Sequence, residues 1–215
     1  MATMKLKKLQ YELEDIETFE NPKIELEQYT TSSHIAACIL HTAQFVYDDI
    51  KDKMVADLGC GSGVLCIGAA LLNAKLCTGF DIDPSAIKLS VENAADRNVS
   101  ERCEFVLCDV KTIYTSIKSK SFDTVIMNPP FGTRLKGADL IFLKMALNLA
   151  TKAVYSLHKT STRKYVMDTA KRMGVYSKVI AELRFDLPAS YKFHKKDSLD
   201  VQVDLIRFVL PGEEQ

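Results

Sequence analysis

The sequence predicts an α/β fold: a seven-stranded, mostly parallel sheet with an antiparallel last strand and helices on both faces. Two observations carry this. From Val55 onward, short apolar runs alternate with segments of helical periodicity, the order in which a parallel sheet is wound with helices on either side. Near the end of the chain, two apolar runs at 179–185 and 201–210 are separated by about a dozen residues with no helical pattern, a length that suits an antiparallel return. With 215 residues, 47% of them apolar, the chain can bury one sizeable core and is short for two. One domain over 1–215 is expected, with residues 1–50 as a helical extension and 51–210 as the core.

The elements follow in order. Leu6, Leu9, Leu13 and Ile16 fall at helical spacing, and so do Ile35, Ile39, Leu40, Val46 and Ile50, so two helices precede the sheet, joined by a polar connector at 27–33. The next apolar runs, at 55–58, 76–80, 105–107, 124–127 and 153–157, read as strands. In the closing run, Val201, Val203, Leu205 and Phe208 are spaced mostly by two, as in a strand.

Charge and cysteine usage narrow the function. Lys plus Arg and Asp plus Glu both number 28, so no long-range positive field marks a nucleic-acid binder, and any such contact must come from local clusters. Cys38, Cys60, Cys66, Cys77, Cys103 and Cys108 sit mostly in apolar runs without a Cys-x-x-Cys pair, which argues against zinc and against a disulfide framework and favours a reducing compartment. His34, His41 and His158 show no metal-ligand spacing, so no metal site is expected. The first ten residues lack the apolar stretch of a secretion signal, and no segment is long enough to span a bilayer.

Directly after the first strand comes Asp57-Leu58-Gly59-Cys60-Gly61-Ser62-Gly63, followed by a helical run. Glycines stand where backbone must turn tightly and approach a ligand, with a helix N-terminus aimed at it. A dinucleotide fingerprint would need glycine where Val64 stands, and a phosphate loop would need a Gly-Lys-Ser/Thr ending, so the loop suits a cofactor without phosphates. Asp81 ends the next strand about twenty residues on, the spacing at which a carboxylate accepts hydrogen bonds from ribose hydroxyls. Together these fit an adenosyl cofactor. Asp109, after the third strand, either bonds the cofactor adenine, with the Val110 amide beside it, or caps the helical turn that follows. Asp57 either pairs with the cofactor's ammonium or braces the glycine turn.

Asn128-Pro129-Pro130-Phe131 follows the fourth strand, at the carboxyl edge where open α/β sheets bind ligands. Proline after Asn128 holds that residue extended, and two prolines remove two donors, leaving a rigid acceptor surface. The exocyclic amine of adenine is a poor nucleophile because its lone pair is delocalised. The Asn128 amide oxygen and the Pro129 carbonyl can accept its hydrogens, and Phe131 offers a stacking face contributing about 1–3 kcal/mol. Such a base must leave any helical stack. A plain Asn-Pro turn with Phe131 in the core is the alternative.

In these two motifs, and in residues 26–29, 79–83, 121–132, 153–159 and 186–196, the chain resembles the Rossmann-like class I methyltransferases that use S-adenosylmethionine. More narrowly, it resembles the branch that forms N6-methyladenosine in small-subunit ribosomal RNA. The resemblance implies direct in-line methyl transfer, and cofactor contacts from Gln28, Thr31, Ser62 and Val64 beside Gly59, Gly61, Asp81, Asp109 and Val110. It also implies an RNA substrate, a heterodimer with a small zinc-binding activator subunit near an outer strand, and residence in nucleus, nucleolus and cytoplasm. An uncovered edge such as 105–107 would be a liability alone. Between the last two strands, Tyr191, Lys192, Phe193, His194, Lys195 and Lys196 interleave basic and aromatic side chains, suited to phosphate attraction and base stacking, although such runs are often only solvated loops. Protein-glutamine N5-methylation and guanine N2-methylation pose the same problem of a weak nitrogen nucleophile and are the rival activities; Phe131 and the basic loop favour RNA adenine.

Overall fold

The structure, a computed structural model, describes residues 4–188 and 198–212. Seven strands form one sheet: β1 (Met54–Leu58), β2 (Leu76–Asp81), β3 (Cys103–Leu107), β4 (Phe122–Met127), β5 (Ala150–Lys159), β6 (Tyr176–Pro188) and β7 (Ser198–Val209). Their spatial order is β3-β2-β1-β4-β5-β7-β6. β1 to β5 pair in parallel, and β7 runs antiparallel to both β5 and β6. Two antiparallel steps make β6 parallel to the first five strands, so the last strand in sequence alone is reversed, as the sequence predicts.

Strand alternation divides the core between the two faces. Val55, Ile126 and Tyr155 pack on one side with Leu9 and Leu13 of α1 (Leu6–Glu14), Leu40 of α2 (Ser33–Phe45) and Ile67 of α3 (Val64–Leu71). Ala56, Leu58, Val125 and Met127 pack on the other with Leu143 and Leu147 of α5 (Ala138–Leu149) and Val166 of α6 (Arg163–Arg172). α3 is apolar throughout because it is buried on nearly every side. α4 (Pro84–Asp96) begins at a proline, whose missing N–H costs nothing in the first turn, and at Asp83, whose carboxylate accepts the Ser85 N–H at 3.0 Å. Behind the sheet, the buried Asp49 carboxylate accepts from Tyr155 Oη at 2.6 Å and Arg207 Nη2 at 3.1 Å, tying the segment before β1 to β5 and β7.

Two boundaries differ from the sequence reading. α2 stops at Phe45: Val46 is exposed, the chain turns through a left-handed Asp48, and Ile50 enters the core from a loop rather than from the helix. β6 and β7 also run further than their apolar cores, pairing Asp186 with Asp200 and Pro188 with Ser198. Ladder hydrogen bonds belong to the backbone, so polar residues extend the hairpin where hydropathy gives no signal.

At the other edge, β3 has β2 as its one neighbour among the described residues, and Val106 and Leu107 are 39% and 55% exposed. Among the described residues no helix is long and apolar enough to cross a membrane.

Candidate active site

The glycine loop closes against the end of β2. The Gly59 and Cys60 amides donate to the Phe80 carbonyl at 2.8 and 3.0 Å, and the chain then turns through Gly61 and Gly63 at φ 55° and 84°, the left-handed region open to glycine. Asp81 fastens this turn. Its Oδ2 accepts the Gly61 N–H and its Oδ1 the Asp83 N–H, each at 2.9 Å. Burial raises the Asp81 carboxyl above its usual range, while those two amides oppose the rise.

A cavity of about 190 Å³ opens at the carboxyl edge of the sheet. Gly59, Gly61 and Asp81 form one wall, and Asp109, Val110 and Cys108 another. Ile82, Leu135, Ile141 and Phe142 give it apolar lining, to which Asn128 and Pro130 add. Its remaining wall, Phe19 and residues 25–29, comes from the segment between α1 and α2.

Of the cofactor contacts expected, Gln28, Gly59, Gly61, Asp81, Asp109 and Val110 line this cavity, whereas Thr31, Asp57, Ser62 and Val64 do not. The Gln28 side chain is engaged in the wall itself: Nε2 donates to Asp83 Oδ2 at 2.7 Å and Oε1 accepts the Lys23 N–H at 2.8 Å. Asp109 caps the turn after it, Oδ1 accepting the Lys111 N–H at 2.9 Å, while also facing the cavity, so both of its anticipated roles are compatible. Ser62 and Val64 are buried behind the loop, where the Ser62 carbonyl accepts from Asn93 Nδ2 and Val64 joins the core. Thr31 holds Asn128 instead: Asn128 Nδ2 donates to Thr31 Oγ1 at 2.9 Å.

Asp57 lies beneath the loop, its carboxylate oxygens buried and without a hydrogen-bond partner among the described residues. Burial, reinforced by the nearby Asp81 charge, pushes its carboxyl from 3.8 up to about 8. The folded protein therefore holds this proton more tightly than the unfolded chain, so this group makes stability fall as pH rises from the ordinary carboxyl range towards about 8. Asp57→Asn should flatten that dependence. Thermal melts at about pH 5 and about pH 8.5 check it, the wild type losing more melting temperature than the variant across the interval; equal losses would mean that Asp57 is not a buried neutral acid.

The Asn-Pro-Pro-Phe segment holds one group with capacity to spare. Asn128 Oδ1 is buried and has no partner among the described residues, although the other end of its amide is fixed by Thr31. An unsatisfied buried acceptor costs about 1–3 kcal/mol, and polar atoms in this state mark places that a ligand completes. Phe131 departs from its expected position: it is 5% exposed and does not line the cavity. Tyr29 covers it, the rings stacked at 5.3 Å and 25°, while Phe185 meets it edge-on at 5.7 Å and 88°. Of these stacked rings, the one that lines the cavity is thus Tyr29. Burial raises its phenol far above the ordinary value, keeping the hydroxyl protonated.

Sequence reasoning gave no site role to Tyr29, Glu27 or Phe19. The signal was an aromatic ring and a carboxylate inside a connector without periodicity, at Glu27 and Tyr29. The anticipated RNA contacts Lys192, Phe193, His194, Lys195 and Lys196 lie outside the described residues. Pro129 does not line the cavity, unlike its neighbours Asn128 and Pro130.

A parallel sheet reversed at its last strand, a glycine turn fastened by the acid ending β2, and an Asn-Pro-Pro-aromatic segment after β4 together define a class I methyltransferase. The ribosomal protein L11 methyltransferase (PrmA) family matches residues 30–129. Over 206 residues the chain is 56% identical to the rRNA N(6)-adenosine-methyltransferase METTL5 of Danio rerio, covering 95% of this chain and 99% of that protein. It is 48% identical to the Mettl5 rRNA N(6)-adenosine-methyltransferase of Drosophila melanogaster, over 99% of this chain and 100% of the relative. The crystal structure of PH1948 from Pyrococcus horikoshii superposes with a TM-score of 0.85 at 33% identity, covering 97% of this chain and 99% of that one. The chain belongs to the METTL5 family of rRNA N6-adenosine methyltransferases.

Proposed function

We propose that the chain transfers a methyl group from S-adenosylmethionine to N6 of an adenosine in small-subunit ribosomal RNA. The single observation that carries this is Asn128, whose Oδ1 is a buried acceptor without a partner among the described residues and which lines the same cavity as the glycine turn and Asp81. The residues fit the cofactor: each Asp81 oxygen spends one lone pair on an amide and keeps another for a ribose hydroxyl, and Ile82, Ile141 and Phe142 suit a flat apolar ring. When bound, S-adenosylmethionine supplies a sulfonium methyl already activated as an electrophile. The protein's task is to hold the adenine amine. Asn128 Oδ1 accepts one of its hydrogens, favours a pyramidal nitrogen and turns the lone pair to the cofactor side, so proximity and alignment supply the catalysis.

The RNA reading rests on the names of the relatives and on the basic segment around Lys192, Lys195 and Lys196. The strand leading into that segment, β6, ends at the same carboxyl edge as the cavity. Incubation with labelled cofactor and total RNA, followed by digestion to nucleosides, tests the proposal. Label in N6-methyladenosine supports it; label only in N2-methylguanosine, or no label in the RNA, overturns it.

The exposed β3 edge supports a partner, proposed to be the small zinc-binding activator subunit. Val106 and Leu107 offer exposed apolar side chains on a strand at the sheet edge, the kind of surface a second chain covers. Binding to the folded state alone must raise the melting temperature. The isolated chain should therefore melt lower than the co-expressed pair, and a chain equally stable with and without that subunit would remove the partner from this edge.

A further inference from the structure

Three alternate residues of the segment before the fold grip three evenly spaced positions of the loop after β4. Thr31 Oγ1 accepts from Asn128 Nδ2 at 2.9 Å, Tyr29 Oη accepts the Phe131 N–H at 3.0 Å, and Glu27 Oε1 accepts the Arg134 N–H at 2.9 Å. The last two ties are one device, because Tyr29 Oη donates in turn to Glu27 Oε2 at 2.8 Å. A single carboxylate, 7% exposed, thus holds the loop at two points, one directly and one through a phenol.

Several features make this more than loop packing. Glu27 sits at φ 51°, a conformation that residues with a side chain rarely adopt and that persists where surrounding contacts fix it. Tyr29 and Glu27 both line the cavity that Asp81 and Asn128 also line, so the strap shares a wall with the site it braces. The two prolines leave Phe131 as the first backbone donor after Asn128, and its amide is the one Tyr29 takes. Without that bond the loop can slide along the cavity wall, and the Asn128 amide oxygen moves with it.

We propose that Glu27 and Tyr29 are positioning residues of the transfer reaction, holding the Asn128–Arg134 loop in register with the cofactor wall; this rests on the adenine methyl-transfer reading above. Their contribution is to the alignment of the amine, which in-line transfer requires to within a fraction of an ångström. Tyr29→Phe is the direct probe, because it keeps the ring stacked on Phe131 and removes only the hydroxyl. At saturating RNA and cofactor its single-turnover rate should fall by about tenfold, as a partial misplacement of reacting groups demands. RNA affinity should stay close to that of the wild type, while the melting temperature falls because the Phe131 N–H and Glu27 Oε2 lose the phenol between them. Glu27→Ala should fall at least as far, whereas Glu27→Gln should recover part of the rate, its carbonyl accepting the Arg134 N–H while its NH2 donates to the Tyr29 oxygen.

Rates are to be taken per active site, titrated by the amplitude of the first turnover. A normal rate per active site in Tyr29→Phe, whether or not its melting temperature drops, assigns the strap to folding alone and overturns the proposal. A Glu27→Gln variant as slow as Glu27→Ala also counts against it. The wild type run alongside must yield N6-methyladenosine: if it does not, the adenine reading fails and the inference with it, whereas a productive wild type with a fully active Tyr29→Phe defeats this inference only.

Discussion

Asn128→Ala is expected to slow methyl transfer by about a hundredfold or more at saturating RNA and cofactor, the scale on which losing one preoriented polar group at a reacting centre is felt. The expectation follows from the two ends of one amide. Thr31 fixes the nitrogen end, so the oxygen is held in place before substrate arrives and pays no reorganisation when the amine binds. That oxygen has no partner among the described residues, so removing it breaks nothing in the resting protein beyond the Thr31 bond. Cofactor affinity should therefore remain near normal, because the group acts on the amine. Single-turnover rates alongside calorimetric cofactor binding give the answer. A full rate in the variant would refute the acceptor mechanism, and a lost cofactor affinity would move Asn128 into the cofactor site.

Asp81→Ala should produce the opposite pattern, with cofactor affinity failing first. Hydrogen bonds to a charged acceptor contribute about 1.5–3 kcal/mol, or roughly tenfold to a hundredfold in dissociation constant. The structure adds a second loss, since the Gly61 and Asp83 amides would be left without the carboxylate that fastens the glycine turn. Asp81→Asn separates the two effects. Its carbonyl can keep the Gly61 bond, so it should restore the turn better than it restores a ribose contact. Calorimetry on folded protein decides the matter: unchanged affinity in Asp81→Ala would take Asp81 out of the cofactor site.

The parts of this molecule that could be read in the sequence are those set by local rules. Short apolar runs alternating with segments of helical periodicity gave seven strands in their correct places, and the tendency of ligands to gather at the carboxyl ends of parallel strands brought Gly59, Asp81, Asp109 and Asn128 to one edge. What could not be read is the wall built by Phe19 and residues 25–29, because its contacts reach across about a hundred positions of sequence and leave no periodic trace. The same limit explains Phe131. An aromatic residue after two prolines signals a stacking ring, yet which of two stacked rings faces the cavity depends on Tyr29, whose position only the folded chain fixes. Thr31 is a parallel case, a residue expected at the cofactor that instead secures the acceptor.

The strand order carries a consequence for how this chain is made. β1 lies between β2 and β4, so a nascent chain that has emerged only as far as β3 holds β1 with one flank bare, exposing its backbone and leaving Leu58 without the α5 side chains of its core cluster. β4 begins only at Phe122, and the residues that close the cavity against the N-terminal segment come later still. Native pairing must therefore await distant sequence, which slows folding and lengthens the interval in which another open strand can occupy the place of β4. For the same reason the molecule has no seam between β3 and β4: cut there, each fragment would carry an unprotected strand edge through what had been the middle of its sheet.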